Sequence, residues 1–323
     1  MKYKIAFFTE GQYQGKVANN HPNLRTDLAW IHHLDADHFN LYNTPLVWPV
    51  DVKYDIGIVI VPKGRPDAAL SILTKLNASC KLVGIMQEGP ADYWTEYTLI
   101  DQFTYLELLS KVDFILAHNE LDVSYFRGLT DTIVGKMPSV MVEQSIPKRV
   151  KERDLDVIIG GNMCKWYNGM ASLLVAREYA DDVHIPSMGR KVPGESRIER
   201  LHHLPYMNWS KWMEELSRFK VGVHLMPTFA AGTFALNCAV LGIPCIGYDY
   251  VDTQRILHPN LSVKLNDIEA ARNLSIRLKE DHAFYEKCAQ EAMTNYEDYY
   301  NSTKYKETMQ VQFDHIWNHC SGI

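Results

Sequence analysis

Short apolar runs alternate with helically spaced apolar residues along the whole chain, and their order predicts an α/β protein. Residues 4–9 (KIAFFT) form the first run and open into a glycine-bearing loop at 10–15. Leu24, Leu28, Ile31 and Leu34 have the spacing of a helix over 23–34, with Arg25, Thr26 and Asp27 near its start. The runs at 54–62 and 81–86 read as strands buried on both faces, the kind a parallel sheet needs, with a helix over 67–78 between them. Helices over 104–111 and 120–128, a strand at 113–118 and a last strand at 133–137 complete a first half. Residues 142–153 carry Pro147 and many charges with little periodicity, and mark the linker.

The second half repeats the logic of strand, glycine turn and helix: a strand at 155–159, then Gly160-Gly161-Asn162 and a helix to about 179. A short strand at 183–188 and a helix over 208–219 follow. Its centre is the stretch 221–248, VGVHLMPTFAAGTFALNCAVLGIPCIGY: strand, small-residue turn, apolar helix, strand. A loop at 249–255 beyond the last of these strands offers Asp252, Thr253 and Gln254 as candidate ligand contacts. Three helices close the chain, over 268–279, 283–296 and 302–318. Two Rossmann-like domains account for this order. The expected boundaries are 1–148 for a first domain, 149–300 for a second and 301–323 for a terminal helix.

Two stretches carry candidate chemistry. At the turn 230–233, small residues and a helix start leave the N–H groups of Ala231, Gly232 and Thr233 for an anion, and a phosphate fits there. At the end of the 81–86 strand stand Gln87-Glu88-Gly89-Pro90, with Asp92, Tyr93 and Trp94 behind them in a loop. Open α/β sheets bind ligands outside the carboxyl ends of their strands. Glu88 there reads either as a solvated turn acid or as a general base, with Asp27, Asp92 and Glu10 as substitutes. Asp35-Ala36-Asp37 is a DxD triplet, but it follows a helix, and His202-His203 lack a third ligand within reach, so no metal site is expected.

The pattern Pro227-Thr228, Gly232-Thr233 and 241–246 (LGIPCI) resembles the donor unit of GT-B glycosyltransferases. The resemblance implies two Rossmann-like domains facing a cleft and a C-terminal helix crossing back to the first domain. Two glutamates usual in that family correspond to Phe229 and Asn237 here, so sugar and ribose contacts do not carry across. The acid after the strand, the DVI-x-GG opening of the second half and the Leu204-Pro205 pair also resemble phage DNA glucosyltransferases that modify 5-hydroxymethylcytosine. That likeness implies Glu88 as an inverting catalytic base. It implies donor contacts from Gly161, Asn162, Lys165, Arg190, Leu204, Thr228, Gly232 and Thr233, with the Leu204 amide and side chain gripping the base. It leaves acceptor contacts to Glu10, Arg25, Tyr93 and Trp94. Segments matching QEGP and HN..D, with His118, Asn119 and Asp122, resemble further phage proteins. The implied co-substrate is a UDP-sugar with no other cofactor, and the implied acceptor partner is double-stranded DNA with hydroxymethylated bases. Rival acceptors are a glycan, a lipid or a small molecule; rival functions are a nucleotide-sugar binding module and an epimerase.

Composition narrows the rest. The chain has 323 residues, 46% hydrophobic and 22% charged, enough for two ordinary cores. A net charge of −6 excludes a protein coated in positive charge and leaves only local basic grooves, at Lys148 to Arg153 or Arg190 to Arg200. Six scattered cysteines without CxxC spacing read as buried thiols. With no leader pattern and no apolar run near the roughly 20 residues that cross a bilayer, the expectation is a cytoplasmic protein without a membrane partner, in the host cytoplasm if phage-encoded.

Overall fold

The computed structural model describes residues 1–11, 15–42, 52–143, 146–147, 152–187 and 191–322. The chain divides into two units, Met1–Pro138 with Ser302–Ile323, and Ser139–Asn301. The first holds a seven-stranded sheet of β1 (Ile5–Thr9), β2 (Gly15–Lys16), β3 (Asp37–Asn40), β4 (Tyr54–Ile60), β5 (Cys80–Met86), β6 (Phe114–Ala117) and β7 (Ile133–Lys136), in the order β2-β3-β1-β4-β5-β6-β7. All pairs are parallel except β2 with β3. The strand order reverses between β1 and β4, which makes the carboxyl ends of these strands the switch point of the sheet. Its helices are α1 (Asp27–His33), α2 (Pro66–Leu76), α3 (Pro90–Glu96), α4 (Leu99–Lys111) and α5 (Glu120–Leu129).

The second unit holds a parallel six-stranded sheet of β8 (Leu155–Ile159), β9 (Val183–Ile185), β10 (Leu201–His203), β11 (Phe219–His224), β12 (Cys245–Tyr248) and β13 (Ser262–Val263). Its order is β10-β9-β8-β11-β12-β13, with the switch point between β8 and β11. Helices α6 (Gly169–Tyr179), α7 (Trp209–Leu216), α8 (Thr233–Leu241), α9 (Asp252–Leu257), α10 (Ile268–Glu280) and α11 (His282–Tyr299) cover it. Helix α8 is buried nearly all round, as its lack of any polar stripe requires.

The last helix, α12 (Ser302–Ser321), belongs to the first unit. Tyr305, Met309, Phe313 and Ile316 are buried along one face, each contributing roughly 1.5–3 kcal/mol by leaving water. Polar links add register: Tyr3 Oη donates to Asp314 at 2.6 Å, and Gln310 accepts from the Lys2 amide at 3.1 Å. Among the described residues no helix is long and apolar enough to cross a membrane.

Several expected elements shift, each for a local reason. The helix expected over 23–34 begins only at Asp27, because Thr26 takes a left-handed φ of 47°. The helix expected over 104–111 starts at Leu99, where Thr98 and Asp101 form a reciprocal capping box. Tyr93 and Trp94 lie on α3, not in a loop, and pack against the core of the first sheet. The helix after Gly160 to Asn162 is delayed to Gly169 by Asn168, at φ 49°. The loop expected at 249–255 becomes α9 from Asp252 onward. The DxD triplet is held by lysine: Lys16 Nζ lies 3.1 Å from Asp35 and 3.5 Å from Asp37.

Candidate functional site

In the second unit, the loops after β8 and β11 meet at the switch point. Gly160 and Gly161 follow β8, and a Cβ on Gly161 would lie 2.4 Å from the Tyr167 ring, so only glycine lets the loop fold this tightly. Asn162 is buried and its Oδ1 accepts from the Cys164 amide at 3.0 Å, which shapes the loop from within. Lys165, exposed in this loop and off any helix, lays its ammonium over the Trp166 ring at 4.5 Å. Thr228 Oγ1 donates to the Trp166 carbonyl at 3.0 Å and ties the β11 loop to the β8 loop.

The turn before α8 is built more rigidly than its small residues suggest. Gly232 has φ 73°, and a Cβ there would fall 1.8 Å from Thr253 Oγ1 and 2.6 Å from Val251. Thr253 Oγ1 donates to the Gly232 carbonyl at 2.9 Å, and Ser139 Oγ donates to the Ala231 carbonyl. The carbonyls are therefore occupied and turned inward. Among the described residues nothing accepts from the N–H groups of Gly232 and Thr233, which stand at the positive end of the helix. Asn237, with its amide oriented to satisfy both neighbours, donates to the Thr233 carbonyl at 2.9 Å and accepts from the Trp212 indole at 3.3 Å. It braces the turn from behind, and the Phe229 ring packs at a tilt against Tyr250, with centroids 4.4 Å apart.

Behind the turn lies a small cavity of about 20 Å³, lined by His224, Thr228, Gly232 and Tyr248 among others, close to the room that one water occupies. The Nε2 of His224 is shielded from solvent there without a hydrogen-bond partner. Burial pushes the His224 imidazole down to about 4, so it is neutral near pH 7. His224 was not singled out from the sequence. The available signal was a histidine closing an apolar strand beside the switch point.

Of the other donor candidates, Leu204 extends the edge of the sheet: its N–H donates to the Ile185 carbonyl at 2.9 Å. That corrects the expectation of an amide grip on a base and leaves its side chain and carbonyl. Arg190 lies outside the described residues. Asp252, Thr253 and Gln254 are buried on α9, where Gln254 Nε2 donates to the Cys245 carbonyl at 2.8 Å. They support the turn and do not present polar groups to solvent.

In the first unit, Glu88 is exposed between two buried neighbours, Gln87 and Gly89. Gln87 fixes the strand end: its amide donates to Tyr97 Oη at 3.1 Å and its carbonyl accepts from Tyr105. Glu88 lies close enough to His118 and Asp122 to affect the charge of both. His118 is buried after β6, stacks on Trp30 at 4.8 Å, and approaches the Met137 carbonyl with Nδ1 at 2.9 Å. That carbonyl can only accept, so the proton is on Nδ1 and Nε2 is left as an acceptor. Lys63 lies over the Tyr93 ring at 5.5 Å. Glu10, at the end of β1, accepts from Tyr42 Oη at 3.2 Å. Asp27 opens α1 with its carboxyl pushed up by burial, and Arg25, two residues earlier, opposes that shift. Trp30, one turn along α1, carries this helix to His118.

Asp122 is a carboxyl whose protonation changes near neutral pH. Burial first, and then the negative charges of Glu88 and Asp92, push its carboxyl up to about 7, against the hydrogen bond from Asn119 Nδ2 at 2.9 Å. The folded chain holds a proton there that the unfolded chain has already released, so stability from this group is present at acid pH and is lost as pH rises to about 7. Asp122→Asn cannot ionise and is expected to flatten that loss. Urea melts of both proteins across this range read it, and parallel pH slopes would mean that Asp122 ionises normally.

No family model and no curated protein matches the sequence. Solved structures do match along nearly the whole chain. Sucrose-phosphate synthase from Thermosynechococcus elongatus aligns with a TM-score of 0.72 at 11% identity, over 98% of this chain and 100% of that one. HepE from Anabaena, in complex with UDP and glucose, gives 0.71 at 10% identity over 97% and 99%. Alpha-glucosyltransferase in complex with UDP gives 0.64 at 13% identity over 98% and 100%. The protein has the GT-B fold of these glycosyltransferases. At such identities the likeness is one of fold.

Proposed function

We propose that the protein is a glycosyltransferase that takes a sugar from a UDP-linked donor held by the second unit and passes it to a hydroxyl acceptor served by the first. The observation that carries this reading is the pair of backbone N–H groups at Gly232 and Thr233, unpartnered at the start of a buried helix on the switch point. Such groups stabilise the charge that develops on a leaving diphosphate without a metal ion. Gly161 and Asn162 shape the loop beside it, Lys165 and Arg190 add cations, Thr228 holds the two loops together, and Leu204 backs the base with its side chain. The UDP complexes among proteins of the same fold support this donor class.

In the first unit Glu88 acts as the base. Its carboxylate takes the acceptor hydroxyl proton while that oxygen forms a bond to the anomeric carbon. The bond from that carbon to the β-phosphate oxygen breaks, and its electron pair leaves with UDP. Asp27 is the substitute carboxylate. The acceptor is 5-hydroxymethylcytosine in double-stranded DNA, flipped toward Tyr93 and Trp94, with Glu10 and Arg25 orienting it. A structure of alpha-glucosyltransferase with UDP and a 13-mer DNA containing a HMU base supports that acceptor class. The reaction belongs in the cytoplasm, where nucleotide sugars and phage DNA meet.

The test is mass spectrometry of DNA with 5-hydroxymethylcytosine or plain cytosine after incubation with a panel of nucleotide sugars. A hexose-sized gain on the modified DNA alone is expected. Unchanged DNA with slow hydrolysis of a UDP-sugar would keep the donor and replace the acceptor by a glycan, lipid or small molecule. Failure of every UDP-sugar to bind or react would end the donor reading too.

A further inference from the structure

The amino edge of the second sheet, at the opposite strand ends from the Gly232 turn, carries a cavity of about 630 Å³. It opens where β8, β11 and β12 begin. Arg153 forms its floor: Nη2 donates to the carbonyls of Leu241 and Gly242 at 2.7 and 3.0 Å, and Nη1 donates to Tyr285 Oη at 3.2 Å. Tyr285 Oη in turn donates to the Lys220 carbonyl at 2.9 Å. Carbonyls and a phenol hold the guanidinium in place but do not neutralise it. Among the described residues no carboxylate lies within ion-pair distance of Arg153 or of Lys279 at the mouth.

Lys220 and His282 also line the cavity, and both have acidic neighbours. Lys220 is paired with Asp156 at 2.7 Å, and His282 stands 3.9 Å from Glu286. Among the described lining residues Glu286 is the one carboxylate, against Arg153, Lys220 and Lys279. The balance is positive in a chain whose net charge is −6. The wall is also flat and aromatic: His282 and Tyr285 lie at an interplanar angle of 15° with centroids 6.4 Å apart. A held guanidinium and a nearby lysine beside a ring platform suit an anion attached to a planar body.

We propose that this cavity is a second binding site, for a small phosphate-bearing molecule with a planar ring, of the nucleoside monophosphate class. The phosphate lies between Arg153 and Lys279, and the ring lies on the Tyr285 and His282 side. This site is separate from the donor turn and stands whether or not UDP binds there.

The probe is AMP, titrated calorimetrically into the full chain with and without saturating UDP. One saturable site that UDP does not displace is expected. Arg153 also caps the last carbonyls of α8, so its removal can unfold the chain; Lys279→Glu, at an exposed position, is the informative variant. It is expected to weaken AMP by at least about tenfold while leaving the melting temperature and UDP binding unchanged. Lys279→Arg should bind as the wild type does. Absence of saturable AMP binding up to millimolar concentration would overturn the proposal. So would AMP binding that UDP displaces, or binding equally tight to Lys279→Glu.

Discussion

Gly232→Ala is expected to lose roughly 2–5 kcal/mol of stability and, with it, the affinity for UDP. Two effects add. At φ 73° an L-residue is strained by its own Cβ, and that Cβ would sit 1.8 Å from Thr253 Oγ1 and 2.6 Å from Val251. Thr253 cannot simply swing away, because its hydroxyl donates to the Gly232 carbonyl and the residue is buried on α9. The turn must open, which moves the Gly232 and Thr233 N–H groups off the position proposed for the diphosphate. Gly194→Ala separates the two effects. Gly194 has φ 88° with no atom within 4 Å of an added Cβ, so only the backbone strain of roughly 1–2 kcal/mol remains. Thermal melts and UDP titrations of both variants read the difference. Equal losses of stability, or unchanged UDP affinity in Gly232→Ala, would refute the role given to the turn.

Glu88→Gln is expected to lower the transfer rate by about 10²–10⁴, the usual contribution of a positioned general base, with UDP binding unchanged. The amide is the same size and cannot accept the acceptor proton. The substitution also removes a negative charge that helps raise the Asp122 carboxyl and opposes the burial shift on His118. The variant should therefore release the Asp122 proton at lower pH than the wild type does. That titration shift separates a charge effect on the neighbours from loss of the base itself, because it appears even without an acceptor. The anomeric configuration of the product decides the role as well. Inversion fits direct attack by a hydroxyl that Glu88 deprotonates. Retention together with a near wild-type rate in Glu88→Gln would remove Glu88 from the chemistry.

Sequence by itself determined most of the strands and helices and their alternation along the chain. Buried parallel strands such as 54–60 and 155–159 must be nearly continuous apolar runs, and α12 must present an apolar stripe, so burial leaves a local imprint at both. It also located the turn before α8, because glycine beside small residues at a helix start is itself a local signature. Tertiary structure alone decided which groups remain available to a ligand. The Leu204 amide is used by the edge of the sheet, Asp252 to Gln254 turn inward on a helix, and Asn237 braces Thr233 at a position where the resembled family has a glutamate. It also brought Trp30 onto His118, and Asp122 beside Glu88, across gaps of 88 and 34 residues in the chain. The physical reason is the same in each case. Hydrogen-bond partners, desolvation and charge coupling are relations between residues distant in sequence, and no local pattern of apolar and polar positions records them.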